Sequence, residues 1–241
     1  MKRLLAVATP IASLSDLITI AVAALSLTSW MAKAELLEAP APIGGDPYEF
    51  LADDGVPSVW ACDEVISVAV NLGELQPDER HHAVAAVSAS IQEISRHTPF
   101  QMRMVGETSR IPTSRWGARM LSGRIGPDVI VYVGDPSVSD LWIPGSAAVG
   151  GHFHESLSDG VNRARAGFVI VDSQQLEYLR PGIGRLSRTA LFIHEFLHVL
   201  GLAHTRHDAS MMAPRLEDSK GVLGGGDIAG LHHLADLGCG Y

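Results

Sequence analysis

The 241-residue sequence has only two cysteines, no cluster of basic residues and no apolar run that is unambiguously a membrane span. The cysteines do not form a C-x-x-C pair, which excludes a cysteine-based zinc site and thioredoxin-like chemistry. The net charge is −9 and the sequence has no cluster of basic residues, so no nucleic-acid partner is expected. Hydrophobic residues make up 46% of the chain, which excludes wholesale disorder and allows a sizeable core.

Residues 1–34 have the pattern of a signal peptide. Lys2 and Arg3 precede a mainly apolar stretch that Asp16 interrupts, and Ala32-Lys33-Ala34 is a small-x-small cleavage site. We therefore expect cleavage after residue 34 and a secreted, extracellular protein. The alternative is an uncleaved N-terminal anchor, the only form in which membrane contact is expected, although the apolar stretch is short for a span. Either way, the rest of the chain lies outside the cytoplasm.

Residues 35–59 are rich in proline, glycine and acidic residues, which predicts a linker. Residues 60–241 have the pattern of one globular domain. Within it, Cys62 and Cys239 form an even pair near the two ends, and such a pair in an exported chain usually makes one disulfide. Two unpaired buried thiols are the alternative.

The hydrophobic pattern of residues 60–241 predicts alternating strands and helices. Apolar, β-branched runs indicate strands, and apolar positions at helical spacing indicate helices. This gives an α+β domain of α/β type, with a mixed sheet and one core. The strands are expected near residues 65–70, 100–105, 128–133, 147–154 and 168–171, and the helices after Pro77, up to Leu200 and from Asp227.

One segment carries the residue types of a metal site. It reads H-E-F-L-H-V-L-G-L-A-H from His194 to His204. On a helix, His194 and His198 are four residues apart and project from one face, so that both imidazoles can bind one zinc ion. Gly201 can end the helix and let His204 return to the same ion, while Glu195 lies beside the metal without binding it. A zinc-bound water then has Glu195 as its general base.

This motif resembles that of the metzincin clan of zinc peptidases, H-E-x-x-H-x-x-G-x-x-H with a downstream Met-turn. Met212, in S-M-M-A-P, falls eight residues after the third histidine, as in the matrixin branch. The segments W-A-C at residues 60–62 and G-D-I-A-G-L at residues 226–231 are similar to those of secreted bacterial matrixin-like peptidases. The chain departs from animal matrixins because it has no cysteine-switch motif and no recognisable calcium or structural-zinc loop.

The resemblance implies a secreted, monomeric zinc endopeptidase with one catalytic zinc. It also implies a mixed sheet above an active-site helix, a smaller C-terminal subdomain and Met212 beneath the metal. Protein or peptide substrate would lie along an edge strand, for which residues 147–154 are the candidate. Two alternatives stay open: a non-catalytic exported zinc-binding or adhesion module on the same fold, and a zinc amidase that acts on cell-wall material.

A further metal ion has weaker support in the sequence. His152 and His154 share one face of a predicted strand, and Asp159 follows them, so that a second zinc is conceivable. Surface histidines on an edge strand are the simpler interpretation. Calcium is conceivable at other acidic positions, but no calcium-loop spacing is present.

Overall fold

The computed structural model describes residues 20–25, 48–53, 56–123, 125–157, 162–182, 184–207 and 210–239. The cleavage site predicted after residue 34, most of the predicted linker and Asp159 lie outside these ranges. Domain boundaries at residues 34 and 59 therefore stay predictions.

A mixed, mostly parallel sheet forms the centre of the fold. Four of its strands run parallel: β5 (Val65–Asn71), β6 (Gln101–Glu107), β7 (Val129–Gly134) and β9 (Asn162–Asp172). The strand β8 (Ala148–Ser156) is antiparallel to β9. These five strands lie in the order β8-β9-β7-β5-β6 within a larger sheet of eight described strands.

Shorter strands join this sheet from the N-terminal part of the chain. The strand β1 (Ile20–Leu25) lies within the predicted signal peptide and pairs antiparallel with the outer edge of β8. Within the predicted linker, β2 (Glu49–Phe50) pairs with β10 (Leu202–Ala203), and β3 (Ala52–Asp53) pairs with β4 (Val56–Val59). The β4 strand in turn pairs with β9, so this part of the predicted linker is hydrogen-bonded to the domain.

Helices cover both faces of the sheet. The described part of the chain contains five: α1 (Pro77–His97), α2 (Ser114–Leu121), α3 (Ser173–Leu176), α4 (Arg188–Leu200) and α5 (Gly225–Cys239). On one face, α1 and α4 pack against residues such as Val131 and Val169. On the other face, Trp116 of α2 packs with Ile130 and Phe168. Because both faces are buried, the central strands are continuously apolar, as their sequence indicates.

These observations confirm the α+β fold class. The strands and helices expected from the hydrophobic pattern are all present. The helix α2 was not expected; it begins at the N-cap Thr113, whose side-chain oxygen accepts a hydrogen bond from the backbone N–H of Trp116 at 3.2 Å. None of the helices in the described ranges has the length and hydrophobicity that crossing a membrane requires.

The predicted disulfide is present. Cys62 and Cys239 are bonded, with their Cα atoms 5.3 Å apart, so the turn after β4 is fastened to the end of α5. Trp60 reinforces this junction, because its indole Nε1 donates a hydrogen bond to the carbonyl oxygen of Val199 at 2.8 Å. The two ends of the domain are therefore tied to each other and to α4.

We expect the double substitution C62S/C239S to lower the free energy of unfolding by about 2–5 kcal/mol. The bond closes a loop of 177 residue steps, for which chain-entropy arithmetic gives an upper value of roughly 5 kcal/mol. Urea unfolding of the mature chain measures the change, and the oxidised parent should titrate no free thiol. Equal unfolding midpoints for the parent and the double variant would contradict a stabilising role.

Candidate metal centre

The helix α4 supplies two of the three histidines and is buried along its whole length. It begins where the Ser187 side chain accepts a hydrogen bond from the backbone N–H of Ala190 at 3.0 Å. It ends at Gly201, whose φ of 117° is left-handed and whose N–H bonds back to the carbonyl oxygens of residues 197 and 198. Glycine adopts this left-handed conformation at little energetic cost. The turn redirects the chain and brings His204 back towards the helix.

The three histidines point their Nε2 atoms at one another. The distance is 3.1 Å from His194 to His198, 3.1 Å from His194 to His204 and 3.2 Å from His198 to His204. Three nitrogens on one tetrahedral zinc, at bonds of about 2.0–2.1 Å, are separated by about 3.3 Å. The observed triangle therefore fits one ion. In the described part of the chain, these residues form the only group of three or more potential ligands close enough to share a metal.

Hydrogen bonds fix the tautomer of two of these rings. The Nδ1 atom of His194 lies 2.7 Å from the carbonyl oxygen of Met211, and that of His198 lies 2.7 Å from the carbonyl oxygen of Leu202. A carbonyl oxygen only accepts, so each Nδ1 carries the hydrogen, and each neutral ring has a lone pair at Nε2. Two such lone pairs 3.1 Å apart repel each other unless a cation lies between them.

The surroundings keep the rings neutral. Burial lowers the pKa of His194 to about 3, with a smaller contribution from the neighbouring His204. Burial also lowers the pKa of His204 to about 4 and holds the pKa of His198 well below its ordinary value. Neutral imidazole is the form that binds a metal, so the site is in its ligand form at neutral pH.

Glu195 lies next to this cluster and is fully buried. Neither of its carboxylate oxygens has a well-formed hydrogen-bond partner among the described residues. Burial raises the pKa of Glu195 well above its ordinary value, and the backbone N–H of Gly150 partly offsets that rise. An unpartnered buried carboxylate is costly, which makes it a candidate functional group.

Gly150 allows α4 to approach β8 closely. A Cβ atom at this position would collide with the backbone carbonyl of Glu195 and lie 2.9 Å from its Oε2. A side chain here would therefore push the helix away from the strand. The sequence analysis did not single out this glycine as part of the site, because its role depends on two segments that are far apart in the chain.

The Met-turn segment contacts the site through its backbone. Met212 is buried, and its carbonyl oxygen accepts a hydrogen bond from the backbone N–H of Thr205, next to His204, at 2.9 Å. Met211 supplies the carbonyl that orients His194. The assignment of Met212 as the floor beneath the metal stays a prediction.

Asp227 fastens this segment and was expected only to begin a helix. Its buried carboxylate accepts hydrogen bonds from the Ser210 hydroxyl, from the backbone N–H of Met211 at 2.9 Å and from that of Gly224 at 2.8 Å. The chain of contacts runs from Asp227 through the Met211 backbone to the His194 imidazole. The available signal in the sequence was a single acidic residue between three glycines and an apolar helix.

His152 and His154 are not surface residues of an edge strand, so that interpretation is wrong. Both are buried, since α4 packs over this part of β8, and the Nδ1 of His152 lies 3.3 Å from the carbonyl oxygen of His198. Burial lowers the pKa of His152 to about 4. A second zinc that includes Asp159 is untested, because that residue lies outside the described ranges.

No protein-family model matches this chain, and no curated protein sequence matches it significantly.

We expect D227N to weaken zinc binding by about 10–100-fold, the usual cost of losing a group that orients a ligand. An amide in this position turns one acceptor into a donor that faces existing donors. Zinc competition with a chromogenic chelator measures the affinity. The matched control is D236N, which changes an exposed aspartate of the same helix and should leave the affinity unchanged. Equal affinities in both variants would refute the positioning role.

The metal-free protein should lose stability as the pH falls from about 6.5 towards 4. The pKa values of His194 and His204 are about 3 and 4 when folded, and the ordinary value is 6.5, so the unfolded chain binds more protons in this window. Urea unfolding in the presence of a chelator measures the slope. The slope of the unfolding free energy against pH should be shallower in H204Q. It should be unchanged in H81Q, which alters an exposed histidine. Equal slopes in all three proteins would contradict the burial of neutral His204.

Proposed function

We propose that this protein is a secreted zinc-dependent endopeptidase of metzincin-like, matrixin-like type. The observation that carries the proposal is the convergence of three neutral imidazoles, with Nε2 atoms 3.1–3.2 Å apart, beside a buried and unpartnered glutamate. The Cys62–Cys239 disulfide is consistent with an oxidising, extracellular location.

The ligand set favours zinc in a catalytic site. Imidazole nitrogens suit zinc, and structural zinc sites in proteins are closed by four ligands. The described residues supply three ligands in this cluster, so a fourth coordination position is free for water or substrate. That count argues against a purely structural metal, and the buried carboxylate of Glu195 beside the cluster argues against the non-catalytic module.

The residues of the site support hydrolysis. A zinc ion held by three imidazoles supplies a Lewis acid and an acidified water. Glu195 would serve as the general base that takes a proton from the attacking water and delivers it to the leaving amine. Its burial removes competing solvent hydrogen bonds and favours proton uptake. Met211 and Leu202 hold the His194 and His198 rings in the tautomer that presents Nε2 to the metal.

The edge of β8 supports a peptide as the substrate. β1 lies along this edge in antiparallel register, with Ala23 opposite Gly150, so the edge accepts an extended strand. Gly150 is also the residue packed against Glu195, which brings the backbone of any strand bound there close to the proposed base. Main-chain pairing of this kind selects extended peptides over compact amides. If residues 1–34 are removed on export, the edge becomes free for substrate.

The zinc amidase remains the second candidate, because the same metal chemistry cleaves non-peptide amides. The strand-binding edge favours the endopeptidase. Mass-spectrometric mapping of the bonds cleaved in a proteome-derived peptide mixture and, in parallel, in cell-wall fragments separates the two. Cleavage of internal peptide bonds supports the endopeptidase, and cleavage of cell-wall fragments alone supports the amidase.

E195Q should keep about one zinc per chain and lower peptide hydrolysis by about 10²–10⁴-fold, the range for a lost general base. Its thermal stability should not fall, because an amide is cheaper to bury than an unpartnered carboxylate. H198A should instead lose zinc affinity and activity together, because it removes a ligand. Metal analysis, melting curves and peptide hydrolysis measure these effects, with the exposed-site variant E177Q as the control.

Three outcomes would contradict this scheme. Loss of zinc in E195Q would make Glu195 a ligand. Normal hydrolysis by zinc-loaded E195Q would assign the base to another residue. A zinc-loaded parent that cleaves nothing in a broad peptide mixture would favour the non-catalytic module.

A further inference from the structure

A basic and apolar cleft of about 630 Å³ lies beside α2. The helix α2 packs on the face of the sheet opposite to α4, so the cleft is separate from the metal cluster. Its lining includes the guanidinium groups of Arg110, Arg115 and Arg119 and the apolar side chains of Trp116, Met120 and Ile125. This volume is within the range of pockets that bind ligands.

Within the described residues, no ion pair neutralises the arginines of the cleft. None of its lining residues is acidic, and none of the three arginines forms an ion pair in the described part of the chain. Arg115 and Arg119 are four residues apart on α2, where like charges repel and destabilise the helix. The whole chain carries a net charge of −9, so this local concentration of positive charge contrasts with the molecule as a whole.

The geometry of the cleft suits an anion that also has an apolar part. Arg110 is placed against the backbone, because a Cβ atom at Gly126 would lie 2.7 Å from its Nη1. Ile125 is 97% exposed, and Met120, which lines the same cleft, is half-buried. The planar guanidinium forks match carboxylates, and the apolar side chains offer area to a hydrophobic neighbour.

The position of α2 relates the cleft to the peptide-binding edge. Gly117 of α2 packs directly on the ring of Phe153 in β8, where a Cβ atom would not fit. In the register of β1, Ile20 is paired with Phe153 and Leu25 with Ala148, so an antiparallel strand has its amino end on the α2 side. Residues that precede the cleaved bond would therefore leave the edge towards α2.

We propose that the arginine cleft binds acidic residues with apolar neighbours in the substrate, on the amino side of the cleaved bond. This inference rests on the proposed endopeptidase function, and it names the substrate class: protein segments in which an acidic-apolar stretch precedes the bond that is hydrolysed. The cleft selects the substrate and takes no part in the chemistry at Glu195.

Direct binding tests the cleft without requiring turnover. The probe is a fluorescein-labelled peptide that contains two glutamates among leucines. The control peptide is identical except that glutamine replaces both glutamates. Binding is measured by fluorescence anisotropy with zinc-loaded E195Q protein, which should bind the glutamine peptide about tenfold more weakly than the glutamate peptide. Adding R115Q/R119Q to this protein should weaken binding of the glutamate peptide about tenfold. R115K/R119K, which keeps both charges but loses the planar guanidinium forks, should recover only part of the loss, and added salt should weaken the binding of the glutamate peptide alone.

Selectivity in hydrolysis tests the link to the active site. Two internally quenched peptides share one cleavable sequence and differ in an acidic or a neutral stretch on its amino side. In the parent, kcat/KM should favour the acidic peptide, and R115Q/R119Q should lower that preference about tenfold through KM. R96Q/R103Q removes two charges outside the cleft and should leave the preference unchanged.

The outcomes separate the cleft from the proposed function. Equal binding of the glutamate and glutamine peptides, or undiminished binding by R115Q/R119Q, overturns the cleft. Acidic-peptide binding by a parent that hydrolyses no peptide keeps the cleft as an anion site and refutes the endopeptidase. If R96Q/R103Q loses as much of the preference for the acidic peptide as R115Q/R119Q does, net charge and not the cleft determines selectivity.

Discussion

The structure depends on two hydrogen bonds that fix imidazole tautomers. The backbone carbonyls of Met211 and Leu202 each accept the Nδ1 hydrogen of a histidine, which leaves the Nε2 lone pairs of His194 and His198 facing each other at 3.1 Å. Burial then disfavours protonation, so that a proton does not relieve the repulsion at neutral pH. A metal cation does relieve it. In the proposed zinc site, relief of this repulsion adds to the affinity that the three imidazole ligands provide, so that metal binding would also stabilise the fold.

The rest of the domain holds these carbonyls and rings in place. Asp227 at the start of α5 binds the backbone of the Met211 segment, and the Cys62–Cys239 bond fastens the other end of that helix. Gly150 lets β8 lie directly on α4 at Glu195, which removes solvent from the carboxylate. In the proposed function, the strand that buries the base is also the strand along which an extended peptide binds. Substrate recognition and proton transfer would then share one strand-helix contact.

The sequence predicted the regular elements because their hydrophobic periods are strong. The continuous apolar strands and the spacing of His194 and His198 each have one structural solution within a buried α+β core. The helix α2 was missed because it spans only eight residues and contains Gly117, so that its apolar face is too short to stand out in the sequence. Buried His152 and His154 were mistaken for surface residues because polar type is only a statistical guide to exposure. Asp227 looked like a simple helix start because its three partners are remote or lie in a loop.

The sequence by itself determined the ligand types, their spacing and the glycine that ends α4, since these follow from local helix geometry. It also determined that Cys62 had one partner available. Only the tertiary structure decided the tautomer of His194, the burial of Glu195 and the approach of β8, because each of these depends on residues more than ten positions apart meeting in space. The arginine cleft is of the same kind: Arg110, Arg115 and Arg119 are ordinary surface residues in the sequence. They become a candidate site because the described part of the folded chain gathers them, without ion pairs, around one cleft whose lining also includes apolar residues.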